Sequence, residues 1–151
     1  MNAFARCFST LALIVSLVLC PLAALAESVD FGDFQVHYSV FPSTFLTPEI
    51  AAQNNLTRSR AIGILNISIM QQNELGGLAT ISGQVEGRML NDIQQPRFLA
   101  FRRIQEGEAV YFISEFQYRS GELLTFHVTA RPTGAGDDLP IRFAHTLYNE
   151  E

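Results

Sequence analysis

The stretch Ala61-Ile62-Gly63-Ile64-Leu65-Asn66-Ile67-Ser68-Ile69-Met70 constrains the fold more than any other part of the chain. Ten residues make a full strand but only a short helix, and four isoleucines with an internal glycine favour the strand. Gly63, Leu65, Ile67 and Ile69 form one apolar face. The other face opens with Ile62 and Ile64 and turns polar at Asn66 and Ser68. A strand covered on both sides over its first half belongs in the middle of a sheet. The segment therefore reads as the spine of an all-β domain.

The first 26 residues fall outside that domain. Arg6 supplies a positive start, Phe8 to Leu19 an apolar run, and Ala24-Leu25-Ala26 a small-x-small cleavage pattern. This is the pattern of a secretory signal peptide cut after Ala26, and its apolar run is too short for a membrane anchor. Cys20 raises lipidation, but Leu19 before it and Pro21 after it fit that processing poorly. Both cysteines, Cys7 and Cys20, lie in the leader, so residues 27–151 hold no thiol nucleophile and no Cys-ligated metal. Those 125 residues carry nine arginines, no lysine and all 15 acids, a net charge of −6. Nucleic-acid binding needs a basic stripe and is excluded as the expected partner class.

In chain order, Asp33 to Phe41 alternates with Phe34, Val36, Tyr38 and Val40 on one face, and Pro42 ends it. The connection from Pro42 to Arg60 is too long for a hairpin. It holds a short helix marked by Thr47 as N-cap, Pro48 at the first position and Glu49 in the first turn. Ile50 and Leu56 are expected to pin it, and Asn54-Asn55 to stop it. Phe41, Phe45 and Leu46 are expected to cap one end of the core. Leu78 to Leu90 reads as one long alternating strand, with Gly83 and Gly87 marking a bulge or a close backbone approach. Further strands follow at 97–104, 109–117, 123–131 and 141–148, separated by Gly-containing turns. Residues 27–32 read as a lead-in.

Seven short antiparallel strands in about 120 residues match an immunoglobulin-like β-sandwich with one short helix in the first inter-strand connection. A small barrel is the alternative. The segments Thr44-Phe45-Leu46-Thr47-Pro48-Glu49-Ile50-Ala51, Arg58-Ser59-Arg60, Leu65-Asn66-Ile67-Ser68 and Tyr111-Phe112-Ile113-Ser114-Glu115-Phe116 resemble a family of small exported proteins from gammaproteobacteria such as pseudomonads and vibrios. That family is known only as a domain of unknown function. The resemblance spans the exported chain and implies an immunoglobulin-like fold in the periplasm; it carries over no catalytic or binding residue.

For chemistry, no Gly-x-Ser-x-Gly or equivalent nucleophile motif is present, and no enzyme activity or cofactor is expected. His37 and His127 fall on polar strand faces and are the candidate ligands for a metal or small molecule. His145 falls on an apolar face, where a backbone hydrogen bond is expected instead. Asp137 and Asp138 in the Gly134–Asp138 loop offer carboxylates to calcium without a regular loop spacing. The leading expectation is a non-enzymatic periplasmic module binding another protein or an envelope component. It would use an edge strand or the 42–60 connection, with Phe41, Phe45, Leu46, Arg58 and Arg60 as the interaction surface. A ligand- or metal-binding module is the second reading, and a hydrolase the third.

Overall fold

A computed structural model describes residues 26–149. The expected leader, with Cys7 and Cys20, lies outside these residues apart from Ala26, as do Glu150 and Glu151. The described chain is all-β with one short helix, arranged as two antiparallel sheets. The larger sheet contains β1 (Glu27–Phe31), β2 (Phe34–Pro42), β3 (Ile62–Gln72), β4 (Leu78–Thr80), β7 (Arg102–Glu106) and β8 (Ala109–Gln117). Its order is β1-β2-β3-β8-β7, and β4 pairs with the end of β3. The smaller sheet, in the order β10-β9-β5-β6, contains β5 (Gly83–Leu90), β6 (Pro96–Leu99), β9 (Leu123–Pro132) and β10 (Leu139–Thr146).

Among the described residues, ten strands replace the expected seven. Residues 27–31 are not a lead-in but β1, which folds back on β2 through Gly32 at φ +63°. The expected strand at 78–90 is two strands. After three residues against β3 the chain crosses at Ile81-Ser82 and continues as β5 in the other sheet. The expected strand at 97–104 splits in the same way around Ala100-Phe101, into β6 and β7 in different sheets. A period-two pattern reports which face a side chain takes and is silent about which sheet it belongs to.

Strand β3 is central, as its composition demands, but its neighbours are β2 and β8. The 78–90 segment touches it only through β4 at Met70–Gln72. Leu65, Ile67 and Ile69 enter the main core between the sheets with Val36, Phe112, Phe126 and Val128. Phe126 holds that core by packing edge-on to Phe116 at 5.2 Å and stacked on Phe143 at 5.0 Å. Each such pair contributes roughly 0.5–1.5 kcal/mol beyond burial.

The opposite face of β3 carries a second, smaller core. Ile64 is fully buried there beneath Ala51 and Leu56, with Phe41, Leu46 and Ile113 packed around it. The cover is the 43–61 connection, which holds a 3₁₀ turn at Ser43–Phe45 and helix α1 (Pro48–Gln53). Thr47 caps α1 by accepting from the Ile50 N–H at 3.3 Å, and Asn55 takes the left-handed conformation at φ 51°. Ala51, not Ile50, is the helix residue that pins it; Ile50 is exposed. Phe41 and Leu46 therefore cap this second core and not the end of the first.

Glycine on the core face of β5 permits close approach. A Cβ on Gly87 would lie 2.7 Å from the His127 carbonyl oxygen, and one on Gly83 would strike the Arg131 carbonyl.

Candidate functional site

The outer face of the smaller sheet brings together groups that lie far apart in the chain. Strand β9 sends Leu124, Phe126, Val128 and Ala130 inward, so His127 and Thr129 point out. Register places Arg142 of β10 directly opposite His127 on one side and Arg88 of β5 opposite it on the other. Arg88 in turn pairs with Phe98 of edge strand β6. A single transverse row thus reads Arg142, His127, Arg88, Phe98. A cavity of about 600 Å³ opens over it, with Glu86 and Thr129 also in its wall. That volume suits a small organic ligand.

The electrostatics of the row are one-sided. Glu86 is the carboxylate in the cavity wall, and Arg131 holds that group at 2.8 Å. The same guanidinium takes Asp138 at 2.7 Å and 3.3 Å, and its hydrogen bond to Glu86 holds the Glu86 carboxyl below its ordinary range. Among the described residues, neither Arg88 nor Arg142 has a salt-bridge partner. His127 is half-buried, and burial, followed by the charges of Arg142 and Arg88, pushes its pKa down. Beside these groups Phe98 is 88% exposed on a strand of four residues.

Of the residues singled out from the sequence, only His127 belongs to this site. His37 lies on the outer face of the larger sheet, its Nε2 3.0 Å from Gln35 Oε1. The two candidate histidines are therefore on opposite outer faces of the sandwich and cannot share a ligand. His145 is half-buried in a narrow cleft beside Glu27 and Tyr38; among the described residues its side chain makes no backbone hydrogen bond. Asp138, offered as a calcium ligand, is held by Arg131.

The expected interaction surface is dispersed. Phe41 and Leu46 face the second core. Arg58 is a structural tie, donating through Nε to the Leu46 carbonyl at 2.7 Å and through Nη2 to the Thr44 carbonyl at 3.3 Å. Phe45 and Arg60 remain exposed. Arg102 and Glu115 pin the same connection: Arg102 reaches the carbonyls of Asn54 and Asn55, and Glu115 accepts from the Thr57 N–H at 2.6 Å. Arg88, Arg142 and Phe98 were missed by sequence reasoning. Their outward parity was available, but the row exists only through strand register.

Residues 28–150 match the family model described as a domain of unknown function, DUF4426. The chain belongs to the DUF4426 family. A crystal structure of a DUF4426 protein from Pseudomonas aeruginosa PAO1 is similar at 28% identity and a TM-score of 0.72, covering 83% of this chain and 97% of that one. FetP of uropathogenic Escherichia coli strain F11, expressed recombinantly in the periplasm, has the same fold at 10% identity and a TM-score of 0.60. That likeness covers 83% of this DUF4426 chain and 95% of FetP. A copper-bound point variant of FetP aligns at 11% identity and a TM-score of 0.58, over 83% and 96% of the two chains. No curated protein matches the DUF4426 chain.

Proposed function

We propose that this protein is a non-enzymatic binding module, exported to the periplasm, that engages a protein or envelope component. Its binding surface is edge strand β6 together with the outer face of the smaller sheet. The observation that carries this reading is Phe98, a large apolar side chain 88% exposed on an edge strand at the rim of a cavity. An edge offers unpaired backbone groups for docking, and aromatic side chains dominate the energetics of binding surfaces. The 43–61 connection is the alternative surface: Leu46, Ala51 and Leu56 are turned onto Ile64, while Phe45 and Ile50 are exposed. The non-enzymatic part rests on the absence of a nucleophile motif and on the lack of cysteine in residues 27–151.

A photoreactive residue placed at position 98 in living cells tests this against one placed at position 45. Adducts at 98 and none at 45 are expected. Adducts at 45 alone would return the surface to the connection, and none at either position would overturn the binding-module reading.

The FetP likeness favours a second reading, in which the fold holds a metal ion. With His37 and His127 on opposite faces, any such site would be built on one histidine at most from that pair. Metal analysis of protein purified without a His-tag decides it: no stoichiometric metal removes the reading.

A further inference from the structure

We infer that the row Arg142, His127, Arg88 is a subsite for the phosphate group of a phosphate ester, with Phe98 taking the apolar or aromatic part of the same molecule. This rests on the binding surface proposed above and names its ligand chemistry. Three observations carry it.

The first is placement. Arg142 and Arg88 flank His127 in direct cross-strand register. Strands lie about 4.8 Å apart, so the two arginine Cα atoms are roughly 10 Å apart. Both side chains are long enough to lean over the imidazole between them. A carboxylate fills one guanidinium fork, whereas a phosphate has three terminal oxygens and can accept from two forks and an imidazole at once.

The second is the absence of neutralisation. The protein has 15 acids against ten arginines, yet none of those acids is salt-bridged to this row among the described residues. Glu86, on the same strand face as Arg88, is drawn away by Arg131. Like charges side by side on a sheet face are destabilising. The two arginines add to burial in lowering the His127 pKa, and a bound dianion would offset their part of that shift.

The third is the neighbour. Phe98 pairs with Arg88 and stands at the same cavity, so an apolar substituent on the phosphate has a surface to cover. Inorganic phosphate would use only half of the site.

Calorimetric titration at low ionic strength with phenyl phosphate and with inorganic phosphate tests the assignment. Phenyl phosphate should saturate at one per chain and bind several-fold tighter than inorganic phosphate. Arg88→Gln and Arg142→Gln should each weaken both ligands about tenfold or more, a charge-assisted contact being lost in each case. Phe98→Ser should weaken phenyl phosphate and leave inorganic phosphate unchanged. Thermal melts verify that each exposed-site variant is folded. Flotation with vesicles containing phosphatidic acid, whose headgroup is a phosphomonoester, against vesicles of phosphatidylcholine alone, separates the two sources of the ester. Arginine-dependent retention on phosphatidic acid vesicles only assigns a lipid headgroup, and no retention with phenyl phosphate still bound assigns a free ester. Binding of phenyl phosphate that survives both arginine substitutions overturns the subsite, as does failure of both phenyl phosphate and vesicles to bind. If that happens while crosslinking at position 98 persists, the phosphate assignment falls and the binding surface stands.

Discussion

Ile64 and Leu65 are adjacent in β3, both are fully buried, and they belong to different cores. Leu65 faces the space between the sheets, and Ile64 faces the underside of the 43–61 connection. Truncating either to alanine should cost about 2–5 kcal/mol in urea unfolding. Only Ile64→Ala should also raise hydrogen exchange in Pro48–Gln53, because only Ile64 anchors that helix. Equal protection of the helix in both variants would contradict the two-core description.

Two buried serines make opposite predictions. Ser43 Oγ donates to the Ser59 carbonyl at 3.1 Å and accepts from the Ser59 N–H at 2.9 Å, tying the two ends of the connection. Ser114 Oγ sits on the core face of β8 without a partner among the described residues. Removing a satisfied buried hydroxyl leaves its partners orphaned, at about 1–3 kcal/mol, whereas removing an unsatisfied one is neutral or stabilising. Ser43→Ala should therefore lower the urea midpoint, and Ser114→Ala should leave it unchanged or raise it.

At Gly83 an added Cβ would meet the Arg131 carbonyl on β9 and lie 2.9 Å from Ile69 Cδ1. Backbone in a paired sheet cannot yield as a side-chain tip can, so Gly83→Ala should destabilise by about 1–3 kcal/mol or more. Gly136→Ala has open space and no left-handed backbone. It should stay within about 0.5 kcal/mol of the parent.

Why the sequence revealed the spine and hid the site follows from the same geometry. Ile62–Met70 carries its burial in its own composition, and Thr47-Pro48-Glu49 announces a helix start locally. The sheet change at Ile81-Ser82 leaves the alternation of 78–90 intact, because a strand that changes neighbours keeps its parity. Arg88 was legible as outward-facing, and so was His127. That they stand side by side depends on β5 pairing with β9, a register set by turns and crossovers far apart in the chain. The second core was half legible: the two-sided apolar start of β3 called for a cover, but which residues of the connection supply it was decided by helix phase. Hence Ala51 lies beneath and Ile50 outside.

His127 predicts a pH dependence. The groups facing it are Arg142 from β10 and Arg88 from β5, with Glu86 turned to Arg131. Burial, then those two arginines, lowers its pKa in the folded state. The unfolded chain therefore takes up this proton first, near the ordinary histidine value of about 6.5. Stability from this group is present above that pH and is lost as pH falls toward the depressed folded value. Urea unfolding between about pH 7.5 and 5, the window around that value, should show a smaller acid loss in His127→Gln than in the parent. An equal loss would mean that His127 titrates as a free imidazole.

The chain contains no tryptophan, so Phe98→Trp and Phe45→Trp each create a protein with a single indole. One reports on the outer face of the smaller sheet, the other on the 43–61 connection. Fluorescence titration of both with phenyl phosphate is the most direct test of where this protein binds. A saturable emission change in Phe98→Trp with none in Phe45→Trp is the predicted result. A change confined to Phe45→Trp would contradict the assignment of the surface, and no change in either variant would contradict the phosphate-ester subsite.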